Sequence, residues 1–117
     1  PLRRWLLAPS APVQGFDHWV PLAQTWPERL QALASLGAQR LVLLGGAGLV
    51  ADMLRADVVD ELQLTLVPSL LGGDHSWVSA DKRLLPDALA QKGAWTFSET
   101  EMLGGDEVLV RYRRQRD

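Results

Sequence analysis

Apolar and polar positions follow two rhythms along the chain, one near 3.6 residues and one near 2, and the changes of rhythm mark out its elements. Leu2 to Leu7 gathers Trp5, Leu6 and Leu7 into a short extended run stopped by Pro9 and Pro12, which predicts a strand. His18, Trp19 and Val20 form a second extended piece. Pro21 lacks an amide hydrogen and confines that piece to a sheet edge or a strand end. Thr25 and Glu28 stand three apart with Pro27 between them, a capping box that predicts a helix start. Leu30, Leu33 and Ala34 supply its apolar stripe and Gly37 its left-handed C-cap. Arg40 to Leu44 is almost wholly apolar, the pattern of a strand covered on both faces. Gly45, Gly46, Ala47 and Gly48 turn the chain. Leu49, Val50, Met53 and Leu54 then share one helical face, with Asp52 and Arg55 on the other.

From Glu61 to Val67 the rhythm becomes strict alternation, Leu62, Leu64 and Leu66 against Gln63, Thr65 and Val67, which predicts a strand ended by Pro68. Leu71-Gly72-Gly73 continues as a loop. Residues 74 to 94 are irregular, with one helical turn around Leu84 to Ala90. Trp95–Leu103 and Glu107–Arg113 flank Gly104-Gly105-Asp106, whose residues accept the positive φ angles of a tight turn, so the chain closes on a hairpin. Repeats, linkers and low-complexity stretches are absent, and residues 1–117 read as a single domain. Strand, helix, strand, helix, strand and hairpin describe a sheet with helices packed on it, an α/β fold.

Composition narrows the partners. With 117 residues and 47% apolar content a packed core is possible, although so short a chain would feel any missing neighbour. A net charge of −2 gives no reason to expect nucleic acid. The absence of cysteine excludes disulfides and thiolate metal sites, and fits a reducing cytoplasm. Leu41 to Met53 is broken by glycines and Asp52, far short of a membrane span, and no export signal opens the chain. The opening at Pro1, inside a strand, reads as a fragment, a cut boundary or a processed product.

The chemistry concentrates at residues 41–55. A helix N-terminus carries unpaired amide hydrogens and the positive end of the helix dipole, and glycines let the backbone approach a pyrophosphate closely. A tight strand-to-helix turn would need the same glycines, and on pattern alone the two readings are balanced. Gly46, Gly48 and Ala51 also satisfy G-x-G-x-x-A, the dinucleotide fingerprint, but the carboxylates Asp60 and Glu61 open the following strand where the fingerprint wants one closing it.

The ordered series Leu41-Val42-Leu43-Leu44-Gly45-Gly46-Ala47-Gly48-Leu49, Val58-Val59-Asp60-Glu61-Leu62 and Pro68-Ser69-Leu70-Leu71-Gly72-Gly73 resembles the reductase domain of the riboflavin-biosynthesis deaminase-reductase (RibD) family. The resemblance covers nearly all of this chain and about the C-terminal half of that domain. It implies a dihydrofolate-reductase-like mixed sheet with flanking helices and a C-terminal hairpin, NADPH as cofactor, and reduction of 5-amino-6-(5-phosphoribosylamino)uracil to its ribityl form. Carried onto this sequence, Gly45, Gly46, Ala47, Gly48, Leu49, Val50, Ala51 and Asp52 would line the cofactor, with Ala8 near it at the end of the first strand. Two departures stand out. The family usually has a substrate-facing glutamate just before the double glycine, where this chain has Leu44, and no Ser-x-Asp-Gly-like segment precedes Pro1. No residue stands out as catalytic. A related reductase with another substrate, and a non-catalytic nucleotide-binding or interaction module, are the alternatives. Half of such a sheet would leave apolar edges short of partners, so a homodimer is expected.

Other residues read more simply. Asp57, Asp60 and Glu61 cluster at a helix-to-strand junction and are turn and surface residues before they are an acid–base pair. His18 and His75 lack any flanking ligand pattern, so no metal site is expected. Arg111, Arg113, Arg114 and Arg116 form a basic tail that can meet a 2′-phosphate or nucleic acid, but the alternation of Arg111 and Arg113 makes a solvated sheet face the simpler reading. Trp5, Trp26 and Trp95 are read as core or helix-end packing.

Overall fold

A computed structural model describes residues 2–11, 14–22, 25–73, 77–78 and 85–116. They divide into two compact units, Pro1–Leu44 and Gly45–Asp117.

In the first unit, β1 (Trp5–Ala8) pairs in parallel with β2 (His18–Pro21), Trp5 opposite His18 and Ala8 opposite Pro21. The expected extended pieces both form, and Pro21 sits at a strand end, where its missing amide hydrogen costs no ladder bond. Asp17 clips the entry to the pair: its carboxylate accepts the Arg4 amide at 2.6 Å and its own amide donates to the Arg4 carbonyl at 2.7 Å. Helix α1 (Trp26–Ser35) packs against β2, and Val20 and Leu33 are the buried centre of this unit. The Glu28 carboxylate accepts the amide of Thr25 at 2.8 Å, as the capping box predicts, and also the Thr25 hydroxyl at 2.8 Å. The helix ends in paired bonds, Gly37 amide to Ala34 carbonyl and Ala38 amide to Leu33 carbonyl, with Gly37 at φ 96°. That is a Schellman ending with glycine in its left-handed position.

The run Leu41–Leu44 corrects the sequence reading. It forms no strand and lies exposed, Val42 at 82% and Leu44 at 94%. An apolar run becomes a buried strand only when neighbouring strands take its amides and carbonyls, and neither sheet among the described residues pairs with it.

In the second unit, α2 (Ala47–Arg55) starts two residues earlier than the apolar face alone indicates, because Ala47 and Gly48 already have helical geometry. β3 (Glu61–Leu66), β4 (Trp95–Leu103) and β5 (Glu107–Arg114) make an antiparallel sheet in the order β3-β5-β4. The register stacks Leu62, Tyr112 and Phe97, then Leu64, Val110 and Thr100, then Leu66, Val108 and Met102 across one face. The opposite face carries Glu61 with Arg113 and Gln63 with Arg111 and Glu99, so Arg111 and Arg113 do occupy a polar sheet face. There they are ion-paired, Arg113 to Glu61 at 3.0 Å and Arg111 to Glu99. Such exposed cross-strand pairs contribute at most about 1 kcal/mol each. Ala51 and Leu54 of α2 are buried together with Val110, Leu89 and Ala94. Helix α3 (Asp87–Ala90) is the helical turn expected near Ala90; Leu84, where that expectation began, lies outside the described residues. The Trp95 indole donates to the Leu89 carbonyl at 3.1 Å, tying α3 to the sheet. Between them, Leu54, Leu62, Trp77, Leu85, Leu89, Ala90 and Trp95 line an apolar hollow of about 170 Å³. Gly105 at φ 79° and Asp106 at φ 63° make the hairpin turn.

Candidate functional site

The turn into α2 is built by its glycines. Gly45 has φ 139° and Gly46 φ 86°, angles at which a side chain would strain the backbone. The bare-turn reading therefore accounts for both. It does not account for what the turn presents. Gly46 is the N-cap, and the first intrahelical bond runs from the Val50 amide to the Gly46 carbonyl at 3.0 Å. The amides of Ala47, Gly48 and Leu49 precede that bond and have no acceptor within the helix. No side chain caps this end, and no acidic residue stands in its first turn. Gly45, Gly46 and Leu49 are exposed, and a Cβ built on Gly45 would meet no atom within 4 Å. Amides without an intrahelical acceptor, at the positive end of a helix dipole and behind exposed glycines, can take an anionic oxygen. A phosphate group fits the residues present.

The remaining residues named from the sequence fall as follows. Ala51 is fully buried and belongs to the packed face of α2. Asp52 forms an ion pair with Arg55 at 3.0 Å. Leu44 directly precedes the turn with its side chain in solvent. Ala8 lies in the first unit, where its carbonyl accepts the Trp19 indole at 2.9 Å and the Leu22 amide at 3.1 Å. The His18 ring lies tilted at 60° to that of Trp5, ring centroids 4.7 Å apart, and His75 lies outside the described residues. Among the described residues no group of three or more His, Asp or Glu is placed to hold a metal, and no helix is long and apolar enough to cross a membrane.

Sequence reasoning separated residues that the fold joins. Asp57, read as a turn residue, receives a forked pair of bonds from Arg114, Nε to Oδ1 at 2.8 Å and Nη2 to Oδ2 at 3.0 Å. Those bonds, with Arg116 nearby, hold the Asp57 carboxyl below the usual carboxylate range. Arg114, grouped with the basic tail, is on the apolar face beside Trp95 and only 7% exposed. The signal available in the sequence was an aspartate where a helix end ordinarily wants glycine.

No curated protein matches the sequence. The family model of the RibD C-terminal domain matches residues 9–105, a span that takes in the glycine turn, the Val-Asp-Glu entry to β3 and the Pro-Ser-Leu-Leu-Gly-Gly loop. Both parallel and antiparallel strand pairs, flanking helices and the closing hairpin are the α/β elements that a dihydrofolate-reductase-like fold requires. The chain thus belongs to the RibD C-terminal domain family, and its function is of the riboflavin-biosynthesis reductase type.

Proposed function

We propose that this chain is the cofactor-holding part of an NADPH-dependent reductase that converts 5-amino-6-(5-phosphoribosylamino)uracil to its ribityl form. The observation that carries the reading is the uncapped N-terminus of α2 behind two glycines of positive φ, inside the span matched by the family. Reductases of this family generally use NADPH, which when bound supplies the hydride. The chain's own part is to bind and orient. The amides of Ala47, Gly48 and Leu49 would donate to phosphate oxygens, Gly45 and Gly46 would keep side chains out of the approach, and Leu49 and Val50 would flank the bound group. Ala51 and Leu54 would hold the helix against its sheet while this happens. A cysteine-free sequence suits a cytoplasmic enzyme.

The test is titration of the chain with NADPH beside a Gly48→Glu variant. Gly48 is helical, so glutamate there needs no unusual backbone angle and complements the helix dipole. The variant should fold at least as stably as wild type and bind NADPH at least about a hundredfold more weakly, about 2.7 kcal/mol. Equal binding by the two proteins would remove the site from this turn.

Leu44 favours a second reading, a related reductase with a different substrate. A leucine accepts no hydrogen bond, so a polar pyrimidine would gain none of the discrimination a carboxylate offers. In an active assembly, Leu44→Glu should raise kcat/KM for the uracil substrate about tenfold or more. Robust wild-type turnover with a neutral or harmful Leu44→Glu would reject this reading. We also propose a homodimer, supported by the exposed Leu41, Val42, Leu44, Leu66, Leu70 and Leu71. A monomeric mass by light scattering at all working concentrations would contradict it.

A further inference from the structure

Helix α2 ends in the same backbone motif as α1, with the Asp57 amide on the Leu54 carbonyl at 3.0 Å and the Val58 amide on the Met53 carbonyl at 3.2 Å. Its left-handed position is Asp57, at φ 49°, where α1 has Gly37. Glycine would adopt that angle more readily, so backbone ease does not explain the aspartate. Its side chain does. The forked bonds from Arg114 are joined by Arg116, which donates to the Asp57 carbonyl at 2.8 Å and the Val59 carbonyl at 3.1 Å and pairs with Asp60 at 2.6 Å. Arg114 also donates to the Ala94 carbonyl at 2.9 Å and lies 5.9 Å from the Trp95 ring centre. A guanidinium fixed by two carboxylate oxygens and a carbonyl has little freedom left, and a lysine could not copy its planar fork.

The residues at the end of β5 therefore bolt down the exit of a nine-residue helix whose entry has no side-chain cap. The helix is about 13 Å long and one cooperative unit, so what fixes one end fixes the other. We infer that the Asp57–Arg114 pair is a positioning device for the glycine turn, holding α2 so that the amides at its far end stay aimed at the bound phosphate. The inference rests on the nucleotide-binding reading of that turn. Arg114 and Arg116 lie beyond the residues matched by the family model.

The test uses the whole chain with Asp57→Asn, Asp57→Gly and Arg114→Lys. Amide hydrogen exchange without ligand reads the helix directly. Amides from Val50 to Arg55 should exchange about tenfold faster in all three variants, over and above any rise in the β3–β5 ladder that reports a global loss of stability. NADPH should bind about tenfold more weakly to each. Asp57→Gly is the critical variant, since it relaxes the backbone and removes only the bolt. Unchanged helix exchange, or an equal rise in helix and ladder, would overturn the inference and leave the pair as ordinary stabilisation. Absence of NADPH binding to wild type would instead sink the nucleotide reading, and the exchange pattern would still decide whether the pair positions α2.

Discussion

Helices α1 and α2 are nearly equal in length, ten and nine residues, and each closes on a Schellman ending. They are secured by different means. α1 carries its supports within a few residues: Thr25 and Glu28 satisfy each other at its start, and Gly37 takes the left-handed angle at its end. α2 has neither. Its start is bare, and its end is an aspartate whose partner, Arg114, lies 57 positions away. A helix that supplies its own caps needs nothing from elsewhere. One that leaves its N-terminus open can offer those amides to a ligand, and it then needs a remote anchor to keep its place.

That contrast can be broken at either helix. The largest effect on stability should come from Arg114→Ala, which strips the bolt, the Ala94 hydrogen bond and the contact with Trp95. Breaking a fully buried pair costs about 3–5 kcal/mol, whereas an exposed one is worth under about 1. With the Arg114 side chain 7% exposed and that of Asp57 37%, the pair lies between these limits, and about 2 kcal/mol is expected from denaturant unfolding. A loss under about 0.5 kcal/mol would mean that α2 is held by packing alone. Thr25→Ala should cost less, about 1 kcal/mol, as for other N-cap replacements. Its effect should stay within α1, leaving exchange at α2 amides unchanged, and spread to α2 would refute the self-contained view of α1.

The smallest effect sharpens the comparison through pH. The Asp57 carboxyl is held low in the folded chain, first by its hydrogen bonds from Arg114. A depressed folded pKa adds stability above the unfolded value, near 3.9, and that contribution disappears as pH falls through the folded one. The stability difference between wild type and Asp57→Asn should thus be constant from pH 7 to about 5 and close only below about pH 4. A difference that closes near neutral pH would assign it to another group.

The supports of α1 are also the ones visible in the sequence. A capping box and a terminal glycine act over three or four residues, so Thr25, Glu28 and Gly37 announce themselves. The alternation of Leu62, Leu64 and Leu66 does the same for β3, because one face of that strand is apolar and the other is not. The glycine turn was legible because Gly45 and Gly46 take angles that other residues avoid. Leu41–Leu44 misled for the complementary reason: its composition suits a buried strand, but pairing belongs to two segments and one segment cannot reveal it. The Asp57–Arg114 bolt was hidden likewise, since no local pattern links a helix end to a strand so distant. Arg114 differs from Arg113 only by facing the other side of β5, and it was grouped with its neighbours by charge.

The strand order β3-β5-β4 has a consequence for biosynthesis. Among the described strands of this sheet the one latest in sequence is the middle one, so the neighbour that β3 pairs with there is β5, made last. At roughly 5–20 residues per second, the ribosome needs several seconds to travel from Leu66 to Arg114. Once it has left the ribosome and until β5 joins it, the stretch with Leu62, Leu64 and Leu66 is an apolar segment unpaired within the described sheet. It is close in sequence to Leu70 and Leu71, which are exposed even in the folded chain. Such a segment is a target for chaperone capture and for mispairing between nascent chains. The β4–β5 hairpin can zip within microseconds once its turn emerges. The delay is set by translation, and slower elongation after Leu66 would lengthen the exposure without changing the folded product.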